Sequence, residues 1–137
     1  MNGKFVGALV LIASAAMTCG MALALEKERS ATVRAGERVQ IWFGANYGRR
    51  CRTAGPPLFK LVAAPALGEV GAEHADYVVP RGEHCAGNSY TGLRIWYKAG
   101  SGTGTDTFSY TLEFPHEPSN PQPSKGPQPV TATVTIQ

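Results

Sequence analysis

From Leu93 onward apolar and polar residues alternate along the chain with a period of two. Leu93, Ile95 and Tyr97 share one parity, and Phe108, Tyr110, Leu112 and Phe114 share another, with Arg94, Lys98, Thr107, Ser109, Thr111 and Glu113 between them. That is the period of half-buried strands. Gly100, Gly102 and Gly104 lie between the two runs and supply the permissive backbone of a reversal, so the pattern predicts an antiparallel hairpin. Asp106 is expected to close that turn through its own side chain. The same alternation marks residues 38–43, where Val39, Ile41 and Phe43 oppose Arg38, Gln40 and Trp42, and residues 130–137, where Val130, Ala132, Val134 and Ile136 oppose threonines and Gln137. Shorter strands are predicted over 31–33, 58–62, 69–72 and 76–79. Residues 26–30 read as a mobile charged lead-in, 44–57 and 81–91 as polar loops, and 115–129 as a Pro-rich loop. No segment carries a helical apolar stripe. About seven to eight short antiparallel strands with turn residues between them predict an all-β sandwich, with a barrel as the alternative.

The first two dozen residues read differently. Lys4, an apolar run from Phe5 to Met17 and the small-x-small triplet Ala22-Leu23-Ala24 have the form of a signal peptide, which predicts a leader over 1–24 and one mature domain over 25–137. The apolar run is short for a bilayer and no second one follows, so no membrane span is expected. Cys19 sits behind Met17 and Thr18, a poor setting for lipidation. Two cysteines then remain, Cys51 and Cys85, and an oxidising compartment predicts a disulfide between them. Closing a loop of roughly 35 residues stabilises a fold by about 3.5 to 4 kcal/mol on the chain-entropy account. Lys4 is the one charged residue of the leader, so its removal lowers the net charge of +3 by one. So small a balance excludes wholesale nucleic-acid binding, and Arg49, Arg50 and Arg52 alone fall short of a polyanion footprint.

The run from Tyr97 to Tyr110, with Gly104, Asp106, Phe108 and Tyr110 at alternate positions, resembles the Y-x-P-x-x-x-F-x-G-x-D-x-F-x-Y signature of bacterial cadherin-like and immunoglobulin-like repeats. Pro65-Ala66-Leu67-Gly68-Glu69-Val70 resembles their P-x-x-G-x-V turn, and residues 130–136 resemble their closing strand. Ala99 stands where the pattern has Pro, the turn is one residue short, and its central aromatic is missing. The resemblance implies an immunoglobulin- or cadherin-like β-sandwich, here as a single secreted domain. It is weak for function, because such domains serve as spacers, adhesive modules and folding units.

Candidate chemistry is sparse. His74 and His84 each follow a Glu, and Asp76 lies near the first pair, but the spacing matches no ligand box, so no metal is expected. Asp106 is one carboxylate where calcium collects several oxygens. No G-x-S-x-G, no paired carboxylates and no spare thiol are present, so neither an enzyme nor a cofactor is expected. Parity places Trp42 beside Arg38 and Gln40, and Trp96 beside Arg94 and Lys98, on faces turned to solvent. Trp42, Trp96, Arg94 and Lys98 are therefore the candidate binding residues, as a platform for sugars or an anionic polymer. The competing reading packs both indoles beneath long loops, with cationic stems over their edges, or has the two faces reversed. The expectation is a periplasmic or secreted, non-catalytic interaction module whose partner is an envelope protein or a surface polysaccharide. The alternative is a small secreted enzyme or enzyme inhibitor acting through loops 44–57 and 81–91.

Overall fold

The computed structural model describes residues 26–116 and 126–137; the leader expected over 1–24 and the middle of the Pro-rich segment lie outside them. Seven strands form: β1 (Lys27–Val33), β2 (Arg38–Gly44), β3 (Leu58–Ala63), β4 (Gly68–Val78), β5 (Ser89–Ala99), β6 (Gly104–Glu113) and β7 (Gln128–Ile136). They divide into a four-stranded sheet of order β1-β7-β6-β3 and a three-stranded sheet of order β2-β5-β4. The protein is an all-β sandwich. Between the sheets lie Leu93, Ile95, Tyr97 and Ala99 of β5, Phe108, Tyr110 and Leu112 of β6, and Val130, Ala132, Val134 and Ile136 of β7, all buried. All but Ala99 are apolar members of the alternations read from the sequence.

Three expectations about the strands themselves are corrected. β5 and β6 are not a hairpin: β5 pairs with β2 and β4, whereas β6 pairs with β3 and β7 in the other sheet. Their apolar faces look at each other across the core, where the Tyr97 and Phe108 rings stack with centroids 5.9 Å apart. The glycine run therefore carries the chain from one sheet to the other. Second, residues 27–33 are ordered strand, because β1 runs parallel to β7 along its whole length, from Lys27 opposite Val130 to Val33 opposite Ile136. Third, the two short segments predicted over 69–72 and 76–79 are one strand of 11 residues, paired without interruption to β5.

The register of β2 carries the largest consequence. Arg38 and Gln40 oppose Lys98 and Trp96, but the next partner of β5, Ile95, faces Trp42 rather than Ile41. One extra residue in β2 makes a bulge, and a slip of one residue exchanges the faces of everything beyond it. Trp42 thus turns inward and packs on the core, edge-on to Phe114 at 6.3 Å, while Phe43 turns outward opposite Arg94. Gly44 makes room for this arrangement, since a Cβ there would meet Cζ2 of Trp42 at 2.4 Å. Trp42 is not a solvent-facing platform.

Asp106 also departs from its expected task. Its carboxylate accepts one hydrogen bond from the Thr107 amide, but three more come from elsewhere: the amides of Ala66 and Leu67, each at 2.9 Å, and the Tyr97 hydroxyl at 2.6 Å. A buried side chain thereby pins the β3–β4 connection to the opposite sheet. Burial pushes this carboxyl up, but the hydrogen bonds from Tyr97, Ala66, Leu67 and Thr107 outweigh it and hold Asp106 below the ordinary carboxylate range. Burial, with the hydrogen bond to Asp106 and its charge, drives the Tyr97 hydroxyl well above its usual range.

Candidate functional site

The outward face of the three-stranded sheet is built from alternate residues of three strands. β5 contributes Tyr90, Arg94, Trp96 and Lys98; β4 contributes Glu69, Gly71, Glu73 and Tyr77; β2 contributes Arg38 and Gln40 before the bulge and Phe43 after it. Trp96 lies on this face as expected, half-buried, with its indole lying over Gly71, where a Cβ would meet Cζ2 of Trp96 at 2.1 Å. That close approach is open only to glycine. The guanidinium of Arg38 covers the exposed side of the indole, its carbon 3.9 Å from the ring centroid. Arg94 repeats the arrangement over Phe43 at 4.4 Å and reaches Glu73 at 3.6 Å. Lys98 stands exposed between Arg38 and Glu69 in the ladder.

The aromatic row continues toward the disulfide. Tyr77 meets Phe43 edge-on at 5.3 Å, and Tyr90, opposite Tyr77 in the ladder, stacks on Tyr47 of loop 45–57 at 4.9 Å. The Tyr90 hydroxyl donates to the carbonyl of Cys51 at 2.7 Å. Cys51 and Cys85 are joined, with Cα atoms 5.6 Å apart, so the bridge ties loop 45–57 to loop 79–88 at this end of the face. Arg49, Arg50 and Arg52 flank it and are exposed.

Of the residues singled out in the sequence, Trp96, Arg94 and Lys98 share this face and Trp42 does not. Arg38, Phe43, Glu73, Tyr77, Tyr47 and Tyr90 join it without having been named as candidates. Tyr77 and Glu73 share parity in the sequence, which was a signal for β4; Phe43 gave none, because the bulge reverses its parity. His74 and Asp76 have the opposite parity on β4, and among the described residues they form no group of three ligand-type side chains with His84.

A bare indole offers its π-face to a sugar; here that surface is taken by a guanidinium. What the face presents instead is guanidiniums lying over rings, Arg38 on Trp96 and Arg94 on Phe43. A guanidinium held in this way keeps the planar donor fork that matches carboxylate and phosphate oxygens. Among the described residues no helix is long and apolar enough to cross a membrane. Comparison with family models, with curated proteins and with solved structures finds no match.

Proposed function

We propose that this chain is an exported, non-catalytic binding module that holds an acidic surface polysaccharide against the outward face of its three-stranded sheet. The observation that carries the reading is the pair of ring-stacked guanidiniums, Arg38 on Trp96 and Arg94 on Phe43, on one sheet face. Stacking removes much of the entropy that a free arginine loses on binding, and the carboxylates of a polyuronate present the planar oxygens such cations accept. A polysaccharide is favoured over an envelope protein because the exposed large apolar side chains, Leu58, Leu61, Val62, Leu67 and Val78, belong to β3, the β3–β4 connection and the inward parity of β4. On the face itself the rings of Trp96 and Phe43 lie under guanidiniums, and none of those exposed apolar side chains is found there. The disulfide supports a compartment outside the cytoplasm.

The strand order supports the immunoglobulin- or cadherin-like resemblance. Lettered A to G along the chain, the sheets read A-G-F-C and B-E-D; the immunoglobulin constant arrangement has the same C-F-G and B-E-D sets, with A on the other sheet. Affinity electrophoresis through gels containing a polyuronate or a neutral glucan tests the function. The chain should be retarded by the polyuronate alone, less so as salt is raised, and an Arg38→Ala/Arg94→Ala variant should lose the retardation by at least about tenfold. Full retention by the double variant, or equal retention by the neutral glucan, contradicts the reading.

A further inference from the structure

The disulfide has a third partner. A ring nitrogen of His84 and the sulfurs of Cys51 and Cys85 all lie within 4.8 Å of one another. Two thiolates and an imidazole are the donor set of thiophilic d10 cations such as Zn2+ and Cu+. We propose that, once the bridge is reduced, Cys51, Cys85 and His84 form a binding site for such a cation, so that the disulfide and the metal complex are two alternative states of one cluster.

The geometry supports each part. Around a tetrahedral zinc, two sulfurs stand ~3.8 Å apart and a sulfur and a nitrogen ~3.6 Å apart, from metal–ligand bonds of about 2.3 and 2.0–2.1 Å. The three donors already occupy a volume of that size, and opening the bridge is the one large change needed. His84 is held for the role: its Nε2 meets the carbonyl of Arg49, on the loop that carries Cys51. A carbonyl only accepts, so in the neutral imidazole Nε2 carries the proton and Nδ1 is the nitrogen able to ligate. A ring nitrogen bonded to a backbone carbonyl while the other ligates is the usual support of a metal-bound histidine.

The bridge is not the only tie on either loop. Loop 45–57 is closed by Gly48 N–H to the Arg52 carbonyl and Cys51 N–H to the Gly48 carbonyl; loop 79–88 is closed by Val79 N–H to Asn88 and Gly87 N–H to Val79. Tyr90 holds the two loops together through the Cys51 carbonyl and its stack on Tyr47. Both cysteines adopt left-handed backbone, with φ of 60° and 66°. Residues other than glycine seldom do so, and such conformations gather where a structure does something besides pack.

The chemistry balances with a dithiol as reductant. The dithiol passes two electrons and two protons to the bridge, becoming a disulfide itself, and leaves two thiols. The cation then forms two metal–sulfur bonds, releasing both protons to solvent, and Nδ1 of His84 adds with its lone pair. With Zn2+ the complex of two thiolates and one imidazole is neutral, and a fourth position stays open to solvent.

Calorimetry of the full chain with Zn2+, repeated with Co2+ to read the thiolate charge-transfer band, tests this under anaerobic reduction and after oxidation. The reduced chain should bind one ion per chain in the micromolar range or tighter, with the charge-transfer band, and the oxidised chain at least about 100-fold more weakly. His84→Ala should weaken binding by about 10-fold or more, and His74→Ala should leave it unchanged. Equal binding by reduced and oxidised chains, wild-type affinity in His84→Ala, or loss of the strand signal in circular dichroism on reduction would each overturn the proposal.

Discussion

At the scale of single residues, Asp106 ties the two sheets and a loop together. Its four hydrogen bonds join a loop, a neighbouring amide and a strand of the facing sheet, and all end on one buried carboxylate. Asp106→Asn should lower stability by about 2 to 4 kcal/mol at pH 7 in urea titrations, because hydrogen bonds to a charged acceptor are lost or weakened in a buried setting. The sign of the pH dependence follows from the direction of the shift. A carboxyl whose folded value lies below its unfolded one contributes fully above the unfolded value, about 3.9, and loses that contribution as pH falls through the folded value. The gap between wild type and Asp106→Asn should therefore shrink below about pH 4. Tyr110 gives the opposite case: its hydroxyl is buried with no hydrogen-bond partner among the described residues. Tyr110→Phe should be neutral or stabilising by up to about 1 kcal/mol, as measured by the urea midpoint.

At the scale of elements, two glycines place the two tryptophans. Gly44 accepts the Trp42 indole on the inward side of β2, and Gly71 accepts the Trp96 indole on the outward side of β4. Adding a methyl at Gly71 displaces Trp96 and its Arg38 cap, so Gly71→Ala should cost about 1 to 3 kcal/mol in the urea midpoint and alter the indole fluorescence. The alternation of residues 93–97, 108–114 and 130–136 was enough to find three central strands and most of the core, because burial on one face is written as a period of two. Pairing was not written there. β5 and β6 each need a buried face, and nothing in their own residues says whether that face is shared with a hairpin neighbour or met across the core. The bulge in β2 was hidden for a related reason: inserting one residue leaves the local alternation of Val39, Ile41 and Phe43 intact while reversing which side its far end faces. The lead-in over 26–30 looked unstructured because its ordering comes from β7, about a hundred residues away in the chain.

At the scale of the whole molecule, the sandwich separates its tasks. The four-stranded sheet supplies most of the core, and the three-stranded sheet turns an aromatic and cationic face outward. The disulfide closes one end. Reducing it should lower stability by about 3.5 to 4 kcal/mol in denaturant titrations while leaving the strand signal at 25 °C, since the core strands do not run through the bridged loops. The candidate face was legible as far as Trp96, Arg94 and Lys98 reach; the stacking that turns bare indoles into guanidinium-capped rings depends on neighbours from two other strands. The proposed role of this face is to bind an acidic glycan. Its most direct test is the set of amide and arginine side-chain shifts in the 15N-labelled chain when a soluble polyuronate is added. Shifts should concentrate on Arg38, Phe43, Glu73, Tyr77, Arg94 and Trp96 and fade with salt. Shifts confined to β1, β7, β6 and β3, or none at low salt, would contradict it.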